Sequence, residues 1–175
     1  MTWSAPMTAV AGSVFTAAQF NQYVRDNLNM TAPALASAAG QIFVSDGVNS
    51  IQPRTPNANI VGTTETTAST SYTDLTTPGP AVTATTGTAA FVGLYAAMFN
   101  SGANNSLMSF AVSGATTLSP ADNYAIANNG TAGIRYGAFL LLPGLTAGSN
   151  TFTAKYKVNA GTGTFVDRRL IIVPL

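Results

Sequence analysis

The sequence predicts a mainly β protein: an N-terminal arm and short amphipathic helix, then an antiparallel β-sandwich of jelly-roll type, with surface left for a neighbouring subunit to cover. Three observations lead there. A strong helix-start signal lies near the front, and no helical pattern follows residue 60. From there on, about eight short apolar runs recur at regular spacing, separated by Gly, Asn or Pro. Several of these runs are apolar on both faces, more than a two-layer sandwich standing alone can bury.

Residues 1–55 read as an attachment segment. The first fifteen carry Trp3, Pro6, Met7, Val10, Val14 and Phe15 around Gly12, with neither a helical nor a strand period, and so form an extended arm. A helix over 16–30 follows. Thr16 and Gln19 make a capping box, and Phe15 before the cap faces Phe20 at the fourth helical position as a hydrophobic staple. Ala17, Phe20, Val24 and Leu28 form its apolar stripe, with Tyr23 and Ala18 on the flank and Gln22, Arg25, Asp26 and Asn29 opposite. Pro33 stops it. A helix this short is marginal alone in water, so its stripe must dock. Packing on its own β-domain is the ordinary solution.

The next segment argues for separation instead. GQIFVSDGVNSIQPR predicts a hairpin over 41–52 turning at Asp46-Gly47, and TPNANIVGTTETTAST predicts an extended linker over 56–70. Trp3, Phe15, Phe20, Val24 and Leu28 are therefore the candidate attachment and oligomerisation residues.

The β-sandwich occupies 71–175, with strands expected at 71–76, 80–85, 89–99, 107–113, 122–127, 134–142, 151–158 and 164–173. Asn129-Gly130 and the AGTGTF stretch read as tight turns. In TFTAKYKV, Phe152, Ala154, Tyr156 and Val158 alternate with polar residues, giving one wet and one buried face. AAFVGLYAAMF, YGAFLLLP and RRLIIVPL are apolar on both. A loop of the same chain or a neighbouring subunit has to cover the second face, and a subunit interface through Phe91, Tyr95, Leu170 and Ile172 is the expectation.

Composition agrees. Of 175 residues 46% are hydrophobic but only 7% are charged, against about 25% in an average soluble protein. A net charge of +1 gives no protection against association, so much of the surface is expected to be covered; a Thr/Asn-rich neutral surface is the alternative. Seven scattered basic residues make no nucleic-acid patch. Residues 89–99, the longest nearly apolar run, are too few for membrane insertion, and the N-terminus lacks the pattern of a secretory signal.

With no His and no Cys, the commonest general base and thiolate chemistry are missing. The six acids, Asp26, Asp46, Glu65, Asp74, Asp122 and Asp167, form no recognisable pair. Asp122-Asn123 and Asn128-Asn129 lack regular calcium-ligand spacing, and Asp167-Arg168-Arg169 reads as an ion pair or strand end. No enzyme activity and no cofactor are expected.

The N-terminal pattern W-x-x-P-x-x-x-x-x-G-x-x-x-T-A-x-x-x-N-x-x-x-R-D-N-L runs through Trp3, Pro6, Gly12, Thr16, Ala17, Asn21, Arg25, Asp26, Asn27 and Leu28. It resembles the leader of tail-fibre-like and other minor structural proteins of tailed bacteriophages, especially those of actinobacterial hosts. The ending TFTAKYKVNAGTGTFVDRRLIIVPL resembles the last strands of phage jelly-roll or tumour-necrosis-factor-like domains. The resemblance covers residues 1–55 and the C-terminal quarter; the middle is generic. It implies a homotrimeric virion protein, made in the host bacterial cytoplasm, anchored to phage capsid or tail proteins by its N-terminal segment and displaying the β-domain outward. Tail fibres are usually longer, so a capsid decoration protein or short head fibre is the competing form. Binding of a host cell-surface glycan is an alternative role, with Tyr72, Tyr124 and Tyr136 as stacking candidates.

Overall fold

The protein is described by a computed structural model covering residues 3–175. It is mainly β and divides into two compact units, Met1–Thr55 and Pro56–Leu175.

In the first unit the arm leads into α1 (Ala17–Phe20), a π turn over Asn21–Arg25, and α2 (Asp26–Leu28). Both halves of the capping box form, and the Phe15 and Phe20 rings meet edge-on with centroids 6.0 Å apart. The helix ends before Pro33. That proline sits in the first turn of a second short helix, α3 (Ala32–Leu35), where its missing N–H costs nothing.

The arm is tied to the helix by Asn27. Its side-chain oxygen accepts from the Ser4 N–H at 2.9 Å, and its amide donates to the carbonyls of Ser4 and Tyr23. The hairpin pairs β1 (Ile42–Gly47) with β2 (Ser50–Arg54), but turns at Val48-Asn49 rather than Asp46-Gly47. Asn49 supplies the left-handed residue (φ 56°), Gly47 stays paired with Ser50, and Asp46 is left over in a bulge.

The second unit is an antiparallel sandwich. One sheet orders β5 (Ala81–Thr86), β10 (Gly148–Val158), β7 (Asn105–Gly114) and β8 (Ile126–Asn129). The other orders β3 (Asn57–Val61), β11 (Gly163–Pro174), β6 (Ala89–Asn100) and β9 (Ile134–Pro143), with β4 (Glu65–Thr67) further along the β3 edge of β11. Val92, Leu94 and Met98 of β6 meet Phe110, Phe152 and Tyr156 of the facing sheet in a closed core. Each such burial is worth roughly 1.5–3 kcal/mol.

Several sequence expectations change here. Residues 56–70 are no free linker: β3 and β4 lie within them and both pair with β11. Of 71–76 only Thr73 bonds in ladder fashion, exchanging both backbone hydrogen bonds with Tyr156. Asp122–Tyr124 is a 3₁₀ turn before β8, not part of a strand. The stretches at Asn129-Gly130 and 159–162 are not hairpin turns; each carries the chain from one sheet to the other.

The largest correction is in β11. Leu170 and Ile172, expected at a subunit interface, are fully covered by their own chain and face the core. The cause is a bulge between Val166 and Arg169, where Asp167 (φ 50°) and Arg168 together oppose one residue of β6. Phe165 points inward before it, so strict alternation would send Leu170 and Ile172 outward. One extra residue reverses every later side chain. Ile171 and Val173 take the outer face instead.

Both ends of the sandwich are closed by buried asparagines. Asn100 donates to Ser106 Oγ and the Ala160 carbonyl, and Asn128 to the carbonyls of Met98 and Ala132. Asn150 donates to Thr86 Oγ1 and the Thr146 carbonyl and accepts from the Thr116 N–H. An amide has donors and an acceptor in one small group, so it can satisfy a loop on each side.

Candidate functional site

The candidate site is a surface. On the outer face of the five-stranded sheet, cross-strand register lines up Phe91 with Leu141 and Val173, Gly93 with Phe139 and Ile171, and Tyr95 with Gly137 and Arg169. Phe139 is 61% exposed and Leu141 53%; Ile60, beside Arg169 on β3, is 54% exposed, and Phe91 is also open. Together the last four leave about 400 Å² of apolar side chain uncovered, within the range of a functional patch on a monomer. Of the interface residues read from sequence, Phe91 and Tyr95 lie on this face; Leu170 and Ile172 do not.

Charge is confined to one end of the face. Arg135 bonds Asp167 at 2.9 Å and the Tyr95 hydroxyl at 3.2 Å. Arg169 lies over the Tyr95 ring, 5.4 Å from its centroid, and makes no ion pair among the described residues.

The opposite outer face, on the four-stranded sheet, is different in kind. Thr83 and Thr151 share a hydrogen bond across strands, and two ion pairs, Lys155 with Asp74 and Lys157 with Asp122, hold residues 72–74 and the 3₁₀ turn against β10. Burial first, then its bond to Asp122, pushes the Tyr72 hydroxyl well above the usual phenol range. Lys157 holds the Asp122 carboxyl below its usual range. Of the three tyrosines proposed for glycan stacking, Tyr72 lies beneath Lys157, while Tyr124 and Tyr136 pack against the core.

Among the described residues, buried charge occurs at one place. Arg168 is fully enclosed, with Nη2 on Thr63 Oγ1 at 2.7 Å, the Glu65 carboxylate 3.8 Å away and the Tyr156 ring 5.4 Å below. Its Nε has no partner. Glu65 accepts from the Thr77 N–H and Thr63 hydroxyl, and Thr77 above all holds its carboxyl below the ordinary range. The sequence offered no signal for this pair, because Glu65 fell in the expected linker.

In the first unit, Phe20 is 49% and Leu28 60% exposed, and Trp3 and Phe15 are open as well; Val24 is half-buried. Met7, Val10, Val14, Phe15 and Gln19 line a concavity of about 670 Å³. No charged residue occurs before Arg25. Sequence reasoning placed Asn27 in the leader pattern but gave no role to it; it is the buried polar residue that fixes which side of the helix the arm covers.

Among the described residues no three His, Cys, Asp or Glu side chains gather as metal ligands, and no helix is long and apolar enough to cross a membrane.

No family model matches the sequence. No curated protein sequence matches it. Among solved structures, an arabinose-bound α-L-arabinofuranosidase aligns with 81% of this chain and 24% of its own, at 13% identity and a TM-score of 0.35. Infectious bursal disease virus, Gx strain, aligns with 75% of this chain and 36% of its own, at 12% identity and a TM-score of 0.34. The chain thus spans about a quarter and about a third of those two chains, and likenesses this distant bear on neither activity nor partners.

Proposed function

We propose that this protein is a non-catalytic structural component of a bacteriophage virion, a homotrimer held to the particle by residues 1–55 and displaying its β-sandwich as a fibre or decoration subunit. The observation that carries the reading is the contrast between the two outer faces of the sandwich. One is apolar and uncovered; the other is polar and laced with threonines and ion pairs. A subunit built this way turns its five-stranded sheet toward its neighbours and its four-stranded sheet toward water. Leucine and phenylalanine side chains left open in the first unit add a second surface that asks for a partner. The leader resemblance supplies the particle.

Attachment is tested in the particle itself. Phe20→Asp places a charge in the middle of the open apolar row without touching the capping box. The variant is expected to fold and to be lost from purified virions, by at least tenfold in copy number. Recovery at the normal copy number would remove the anchoring role while leaving the trimer standing.

A further inference from the structure

The trimer reading above leaves open which side chains meet. We infer that a notch between Tyr95 and Phe139 on one copy receives Ile60 of the next, so that three identical contacts close a ring. The notch has a volume of about 210 Å³ and is lined by Gly93, Tyr95, Gly137, Phe139 and Ile171. Two glycines create it. A Cβ on Gly93 would stand 2.6 Å from Phe139 Cε2, and one on Gly137 would stand 3.3 Å from Tyr95 Cδ2. Each ring therefore lies down over the glycine of the neighbouring strand, and the space between the two rings stays open. It has room for one branched aliphatic side chain and almost no polar wall.

Several observations favour a second copy as the occupant. The charges of this face lie at one end, where Asp167 pairs with Arg135 within its own chain and Arg169 rests on the Tyr95 ring, so the apolar middle around Gly93 and Phe139 presents no charge for a partner to match. Its open apolar area is about half of the ~800 Å² that each partner gives to a stable interface, as expected if hot-spot side chains sit inside a wider contact. The face also carries a protruding group as well as a hole. Leu141 stands two residues from Phe139 on the same face of β9 and is likewise open. Ile60 lies on β3, across β11 and β6, roughly 12 Å from the seam of β6 and β9 at ordinary strand spacing. A contact joining two different patches is heterologous, and it closes into a three-membered ring when each copy is turned by a third of a full rotation from the last.

The test uses the full chain carrying Ile60→Asp or Ile171→Asp, with far-UV dichroism and cooperative melting to verify the fold. Light scattering on a sizing column at micromolar concentration is expected to give one-copy mass for each variant alone. Mixed in equal amounts they are expected to give two-copy mass, because the intact Ile60 of one fits the intact notch of the other. Three-copy mass for either variant alone, or one-copy mass for the mixture, overturns the pairing. A wild-type chain of one-copy mass removes the trimer reading as well, whereas a trimeric wild type with trimeric variants removes only this contact. Should an aspartate unfold the chain, Ile60→Ser and Ile171→Ser are read in the same way.

Discussion

Arg168→Ala is expected to lower stability by about 3 kcal/mol and the melting midpoint by about 10 °C, at fixed protomer concentration. The substitution opens a cavity over the Tyr156 ring and leaves Glu65 largely covered with no cation nearby. It also frees the segment that Arg168 pins, since its guanidinium reaches Thr63 Oγ1 and, at 3.4 Å, the Thr77 carbonyl. Arg168→Lys should lose most of this, because an ammonium has no planar fork to serve both sites. Glu65→Gln in the Arg168→Ala background should return part of the loss, by removing the stranded charge.

Denaturant titration measures all three variants, and a loss below about 1 kcal/mol for Arg168→Ala would mean the pair is dispensable. The same carboxyl sets an acid limb. Its native pKa is depressed, so its contribution is fully present above the unfolded value of about 4.3 and disappears as pH falls through the native value. Tyr156 acts in the other direction. Burial raises its hydroxyl, whose proton is donated to the Gly79 carbonyl at 2.7 Å, so stability is full below about pH 10 and declines as the unfolded chain ionises.

Phe139→Asp is expected to break the assembly without unfolding the subunit. The ring is mostly exposed in the single chain, so its loss costs the isolated sandwich little. Within an interface the new carboxylate would lie unpaired among Phe91, Leu141 and Ile171, costing about 4 kcal/mol, or roughly a thousandfold in association. Thr83→Asp on the polar face is the control and should leave the assembly unchanged. Equilibrium sedimentation reads both. Equal effects from the two substitutions would show that charge in general, and not this face, governs association.

What the sequence revealed and what it concealed follow the range of the interactions. Thr16, Gln19, Phe15 and Phe20 act on one another within a few residues, so the helix start was legible from their order alone. The alternation of Phe152, Ala154 and Tyr156 was legible for the same reason. The bulge at Asp167 and Arg168 was not, because it is stabilised by Arg135 on another strand and by Thr63 about a hundred residues earlier.

Once the bulge is missed, the outward face of β11 is assigned to the wrong parity, and Leu170 and Ile172 take the place of Ile171 and Val173. The Thr- and Asn-rich residues 57–67 carry too little apolar pattern to announce an edge strand; pairing with β11 makes them one. Nothing in the local pattern marked Asn100, Asn128 and Asn150 for burial, which arises from partners 4 to 64 residues away. The candidate surface was half legible. Phe91 and Tyr95 came from periodicity, whereas Phe139, Leu141 and Ile60 needed the sheet order.

The mass of the unmodified chain in solution, by light scattering at micromolar concentration, decides whether neighbouring copies cover this apolar sheet. Three times 17.9 kDa, with Phe139 protected from solvent, is the predicted result. A stable species of 17.9 kDa, folded and free of aggregation with that face open to water, would contradict it.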